Sequence, residues 1–222
     1  MNFDGKRVAV TGAAGNLGRA VAAGFEQAGA RLVLIDIAEA SMAGAESQIV
    51  DLTDGAATQT AFAAIGAVDV LCNIAGGFDM GVAVHETSDA MWDKLFDLNT
   101  RTLRHAVCAA VPAMVAAGGG AIINVGAGAA LAGMADMGAY CAAKSVVVRL
   151  TESMAAELKE KNINVNCVLP SIIDTPENRA AMPTAEFDKW VAPDALADVI
   201  RFLASDAARA IHGAALPVSG LV

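Results

Sequence analysis

Seven short apolar runs recur along this chain, separated by stretches of helical length, and that alternation limits the fold more than any other feature. The runs are Arg7–Thr11, Arg31–Asp36, Gln48–Asp51, Val68–Asn73, Ala121–Val125, Asn164–Leu169 and Ala214–Val218. Most are apolar at consecutive positions, as a strand covered on both faces requires. Between the first two, Leu17–Ala28 carries apolar residues at helical spacing, and Gly29 is placed to stop it. Ser88 reads as the N-cap of a long helix, Ser88–Val115, with Met91, Leu95 and Leu98 on one face. Met137–Lys161 reads as a second long helix, whose Lys-rich end suits the negative pole of the helix dipole. Pro193–Ser205 reads as a shorter amphipathic one. Strands alternating with helices call for right-handed crossovers and a parallel, doubly wound α/β sheet. No linker interrupts the pattern, so residues 1–222 read as a single domain.

Composition narrows the function classes. The chain has 222 residues, with 15 Lys+Arg against 24 Asp+Glu, a formal net charge of −9. An apolar share of 55% with only 18% charged residues excludes a disordered chain. The acidic balance argues against nucleic acid, whose phosphates need a basic stripe. Ala106–Ala135 carries no charge and exceeds the length of a membrane span. Pro112, the Gly118-Gly119-Gly120 run and Asn124 interrupt it, so it reads as a helix end, a loop, a buried strand and another loop, and no membrane partner is expected. Lys6 and Arg7 ahead of a short apolar run resemble a secretion signal, but the run breaks at Thr11 and Gly12. Cys72, Cys108, Cys141 and Cys167 lie in apolar stretches with no CxxC pair, and read as buried free thiols of a cytoplasmic protein. His85, His105 and His212 are scattered, so no metal is implied.

The segment VAVTGAAGNLGRAV passes from a strand into a helix. Glycines at 12, 15 and 18 let the backbone turn tightly and approach a pyrophosphate, and the helix N-terminus supplies unpaired N–H groups and positive potential. The spacing is G-x-x-G-x-x-G rather than G-x-G-x-x-G; its position between first strand and first helix gives it weight. The second strand ends at Asp36. An acid there accepts hydrogen bonds from ribose hydroxyls and repels a 2′-phosphate. With no Lys or Arg inside the turn or close after Asp36, NAD(H) is preferred over NADP(H).

Further motifs follow in order: Asn73-Ile74-Ala75-Gly76 after the fourth strand, Asn99 in the long helix, and Tyr140-Cys141-Ala142-Ala143-Lys144 as Y-x-x-x-K. Together with TGAAGNLG they resemble the short-chain dehydrogenase/reductase family over essentially the whole chain. Asn16 stands where many members have the middle glycine. The resemblance implies a Rossmann-like fold and an oxidoreductase that moves a hydride between a nicotinamide and a small substrate. It implies cofactor contacts at Gly12, Gly15, Asn16, Leu17, Gly18, Asp36, Asp51, Leu52, Asn73, Ala75, Gly76, Tyr140, Lys144, Pro170, Ile173 and Thr175. Residues 140 and 144 share a helix face. A phenol titrates near 10, so a nearby ammonium is expected to favour its phenolate. Tyr140 then serves as proton donor or acceptor, Lys144 tunes it and holds the nicotinamide ribose, and Asn99 organises a proton-relay water. The family also implies a homotetramer or dimer built on the long helices Ser88–Val115 and Met137–Lys161.

The family usually places a serine thirteen positions before the tyrosine; position 127 here is Ala. No Ser or Thr lies between Arg104 and Ser145, so a local shift cannot replace it. Loss of such a donor slows carbonyl chemistry about a hundredfold or more. Ala127 within VGAGAALAG, Ala75-Gly76-Gly77-Phe78, and DTPENRAAMP followed by Phe187 and Trp190 resemble the dihydropteridine-reductase-like members, which lack the serine and reduce an imine-like dihydropterin. Ser171 replaces the usual Gly of the P-G-x-x-x-T segment, and a substrate loop is expected at about 171–192. Phe78, Met134, Met137, Met182 and Trp190 stand with Ala127 as substrate contacts, although apolar residues there equally serve core or subunit packing. His85 reads as a surface residue that could touch substrate. Against the enzyme stands a non-catalytic NAD(H)-binding regulator or redox sensor, motivated by Ala127.

Overall fold

The computed structural model describes all of residues 1–222. Its strands are β1 (Arg7–Thr11), β2 (Arg31–Asp36), β3 (Glu46–Ile49), β4 (Val70–Asn73), β5 (Gly120–Val125), β6 (Ile163–Pro170) and β7 (Ala215–Val218). All pair in parallel, in the order β3-β2-β1-β4-β5-β6-β7. The order reverses between β1 and β4, and the crevice beyond their C-terminal ends is where a doubly wound sheet takes its ligand.

The helices are α1 (Asn16–Gln27), α2 (Gly55–Ile65), α3 (Asp89–Phe96), α4 (Thr102–Ala116), α5 (Gly138–Leu158), α6 (Pro176–Ala181) and α7 (Pro193–Ala204). Successive strand residues feed opposite layers. Val8 and Val10 pack with Val21, Phe25 and Ile200 under α1 and α7. Ala9, Ile122 and Val165 pack with Phe62, Met114 and Val147 under α2, α4 and α5. Both faces are therefore dry, which is why the strands read as continuous apolar runs.

Several expectations need correction. β3 begins and ends two residues earlier than the run Gln48–Asp51, because Asp51 lies beyond the pairing with β2. The β2–β3 crossover, residues 37–45, has no helix. It is shorter than the dozen or so residues a helical crossover takes, and Ala40, Met42 and Ala45 cover the sheet there instead. α2, capped by the Asp54 carboxylate on the N–H groups of Ala56 and Ala57, has an even distribution of Ala and Thr that hid it. Ser88 does cap α3, through Met91 N–H. The long helix it was expected to open instead breaks at a π-turn, Asp97–Arg101, centred on Asn99. Cys108 is exposed, unlike the other three thiols. α4 buries the stripe Ala106, Ala110 and Met114, and position 108 lies off that stripe. The uncharged stretch 106–135 divides into the end of α4, the Gly118–Gly120 turn, buried β5 and a loop. No helix is long and apolar enough to cross a membrane.

Candidate active site

The crevice is assembled from strand ends. Thr11 Oγ1, at the end of β1, accepts hydrogen bonds from Ile74 N–H at 3.0 Å and Ala75 N–H at 3.1 Å, which ties the loop after β4 to the glycine turn. Gly12 is left-handed (φ 65°), and a Cβ on it would lie 2.7 Å from Ala75 N. A Cβ on Gly18 would lie 2.0 Å from the Gly12 carbonyl oxygen. Only glycine fits either place. Gly15 caps α1 without a side-chain acceptor, and the N–H groups of Asn16, Leu17 and Gly18 find no acceptor in the chain. This is a cradle for a phosphate-bearing group, with the positive helix end aimed into it, so the residues present fit a dinucleotide.

Asp36 closes the side of the turn: one carboxylate oxygen accepts from Ala14 N–H and the other from Ala38 N–H, each at 3.0 Å. Asp51 is exposed and accepts from the Thr53 N–H and hydroxyl. Leu17 and Leu52 have buried side chains, so their part in the site is structural packing and backbone presentation. The Asn73 amide donates to Asn124 Oδ1 at 2.9 Å, and Asn124 donates to Thr151 Oγ1 at 2.8 Å, a buried chain that fixes the end of β4 beside β5.

The reacting end forms where α5 faces the π-turn. Asn99 is buried. Its amide donates to the carbonyls of Gly77 and Leu95, both at 2.9 Å, and its Oδ1 accepts from Gly77 N–H at 3.2 Å. It thereby clamps the Gly76-Gly77 loop, and capture of the Leu95 carbonyl accompanies the widened turn. π-turns of this kind favour functional sites. A Cβ on Gly76 would lie 2.8 Å from Asn99 Oδ1 and 3.4 Å from Lys144 Nζ, so this glycine lets the two polar groups converge. Lys144, 6% exposed, donates to the Val125 carbonyl at 3.0 Å. Val125 is a partner that local sequence pattern could not reveal, because the bond spans β5 and α5.

Tyr140 is half-buried, with the Phe78 ring edge-on at a centroid distance of 4.9 Å. Lys144 Nζ sits over the phenol ring, 5.9 Å from its centroid. The expected lowering of the phenol is not what the polypeptide produces. Burial, together with the nearby Cys141 thiol, pushes Tyr140 up to about 12, and burial pulls Lys144 down to about 8. The ammonium faces the ring and the Val125 carbonyl, and its attraction does not offset desolvation of the phenolate.

Ala127 is buried and extended at the start of the loop after β5. Ser145, the nearest downstream serine or threonine, donates to Ala130 O at 2.9 Å and so holds that loop. Pro170 ends β6. Ile173 pairs with Val191, and Thr175 caps α6 through Asn178 N–H. Met134 and Met182 are exposed and Met137 is half-buried. Trp190 is buried against Phe187 and the turn at Gly220, so it braces the loop from within. His85 is exposed beside Glu86. One residue that sequence reasoning missed reaches the glycine turn: Glu177 of α6 accepts from Asn16 Nδ2 at 2.7 Å.

Comparison with known proteins agrees with this geometry. A family model described as short chain dehydrogenase matches residues 6–186. The D-xylose 1-dehydrogenase of Caulobacter vibrioides is 35% identical over 235 residues, covering 96% of this chain and 93% of that protein. The L-xylulose reductase of Bos taurus is 30% identical, covering 99% and 97%. The crystal structure of carveol dehydrogenase from Mycobacterium avium in complex with NAD superposes with a TM-score of 0.88 at 26% identity, covering 98% of this chain and 97% of that one.

Proposed function

From the premise that this chain belongs to the short-chain dehydrogenase/reductase family, and is thus an NAD(P)-dependent oxidoreductase acting on a small molecule, we propose that it uses NAD(H) and reduces an imine-like, dihydropterin-type acceptor. The observation that carries the reading is the convergence of Lys144 and Asn99 at Gly76, with the Tyr140 ring beneath Lys144 Nζ, while Ala127 stands where the resemblance expects a hydroxyl donor. The glycine turn and α1 N–H groups hold the diphosphate, Asp36 the adenosine ribose, Lys144 the nicotinamide ribose, and Ile173 with Thr175 the carboxamide. Asp51, Leu52, Asn73, Ala75 and Pro170 shape the walls. Bound nicotinamide supplies or accepts the hydride.

The chain's own part is to hold a proton and exclude water. With its phenol near 12, Tyr140 keeps its proton at neutral pH and delivers it to substrate nitrogen or oxygen. Lys144 fixes the helix face through Val125, and Asn99 fixes the loop opposite. An acceptor that is itself protonated or polarised gathers little oxyanion character, so Ala127 removes no donor it requires. Phe78, edge-on to Tyr140, offers a flat apolar surface suited to a ring. The relatives' names supply a second reading, a sugar or polyol carbonyl. The exposed Phe78 ring against Tyr140 speaks against so polar a substrate.

The deciding experiment is one panel: NADH and NADPH, each with quinonoid dihydropterin, xylose, xylulose and simple ketones. Rapid NADH-dependent dihydropterin reduction, lost in Tyr140→Phe, supports the proposal. Preference for the sugars moves the substrate assignment. Tight NADH binding without turnover on any acceptor favours a regulator or sensor.

A further inference from the structure

Asn16 is the first residue of α1. Arg19 donates through Nη2 to Asn16 Oδ1 at 3.0 Å and through Nη1 to the Ala14 carbonyl, which orients the amide so that Nδ2 meets Glu177 Oε2 at 2.7 Å. Glu177 belongs to a segment braced by its own internal bonds. Asp174 N–H bonds Val191 O and Val191 N–H bonds Ile172 O, at 2.8 and 2.9 Å. Asn178 donates to Ile173 O at 2.8 Å, Asp174 and Arg179 form a two-point ion pair at 2.5 and 2.7 Å, and the Arg179 guanidinium lies 4.8 Å from the Phe187 ring centre. The contact between Asn16 and Glu177 therefore joins segment 172–191 to the glycine turn and brings a carboxylate to the end of α1 that carries three N–H groups without acceptors.

We propose that Glu177 is a built-in electrostatic competitor of the cofactor diphosphate: held by Asn16, its carboxylate latches the substrate loop to the glycine turn and repels the diphosphate, so the dinucleotide binds more weakly while that carboxylate stays in place. The inference rests on the reading above that the α1 terminus takes the diphosphate. Two anions at one helix end repel, and the pair is exposed, so the effect is modest and screened by salt. Because the two events are linked, bound dinucleotide loosens the latch by the same factor as the latch weakens dinucleotide binding.

The test is calorimetric titration of NADH into wild type, Glu177→Gln and Glu177→Ala, with tryptic cleavage at Arg179 and Lys189 measured without dinucleotide. Glu177→Gln keeps an acceptor for Asn16 but loses the charge. It is expected to bind NADH about threefold to tenfold tighter, with the difference shrinking in high salt and cleavage staying near the wild-type rate. Glu177→Ala binds NADH tighter too, and both it and Asn16→Ala are cleaved several-fold faster. Equal NADH affinity in wild type and Glu177→Gln overturns the competition, and wild-type cleavage rates in Glu177→Ala overturn the latch. If wild type binds no dinucleotide at all, the proposed function fails first and takes this inference with it.

Discussion

Replacing Lys144 with Met should stabilise the protein while abolishing turnover. Lys144 is 6% exposed, and burial lowers its pKa from an ordinary 10.5 to about 8. A difference of about 2.5 units at 1.36 kcal/mol each means the buried ammonium costs about 3 kcal/mol of stability at pH 7. Methionine removes that charge at similar length. It also removes the hydrogen bond to the Val125 carbonyl, worth about 1 kcal/mol, and a weak cation–π contact with Tyr140. The net gain is about 2 kcal/mol, or about 4–8 °C in Tm for a chain of this size. The pH dependence separates this cause from general repacking. The unfolded lysine binds its proton up to about 10.5 and the folded one only up to about 8, so wild type gains stability as pH rises between those values. The gap between Lys144→Met and wild type should be full below pH 8, shrink as pH rises, and reverse slightly in favour of wild type near pH 10.5, where only the lost hydrogen bond to Val125 remains. Paired thermal and urea unfolding at pH 7, 9 and 10.5 measures it. A variant no more stable than wild type at pH 7, or a gap that does not move with pH, would refute the reasoning.

Gly18→Ala drives a Cβ to within 2.0 Å of backbone at Gly12, so NADH binding measured by calorimetry should vanish and stability fall by about 1–3 kcal/mol. Ala127→Ser restores a hydroxyl to the loop after β5. Steady-state rates should rise about tenfold or more with simple ketones and change little with quinonoid dihydropterin; a flat response with both would remove the oxyanion argument. Asp36→Ala releases two loop N–H groups along with the ribose acceptor. NADH affinity should drop about tenfold, and the preference for NADH over NADPH proposed above should narrow. Light scattering at micromolar concentration should give a tetramer or dimer, and a monomer would count against association through the long helices.

The sheet was legible because its inner strands are buried on both faces, which leaves an unbroken apolar signature: β1 and β2 match the runs Arg7–Thr11 and Arg31–Asp36 residue for residue. β3 was misplaced because its alternating half-buried residues at the sheet edge carry a weaker signal. The π-turn at Asn99 left no trace in periodicity, since Asp89–Ala116 keeps helical spacing on both sides of it, and the break arises from an amide reaching Gly77, 22 residues away. Glu177 and Asn16 are 161 residues apart, and neither sits in a pattern that names the other. Tyr140, Lys144 and Asn99 could be named from motif order, but the electrostatics between them could not. An ammonium four residues along a helix invites the inference of a lowered phenol, and only burial reverses it.

That reversal bears on which half-reaction the polypeptide favours. A phenol held near 12 is protonated at any physiological pH, so the chain alone presents Tyr140 as an acid, ready for the reductive direction. Working as a base requires positive charge nearer the phenolic oxygen than Lys144 provides from above the ring. The oxidised nicotinamide carries such a charge and the reduced one does not. Oxidation of an alcohol should therefore show a kcat/KM with NAD⁺ that rises with pH to a plateau, with a midpoint well below 12, while reduction with NADH should stay level through pH 9. A reductive rate that collapses between pH 7 and 9 would mean that Lys144, titrating near 8, governs the reaction directly, and the proton would have to be assigned to the lysine rather than the tyrosine.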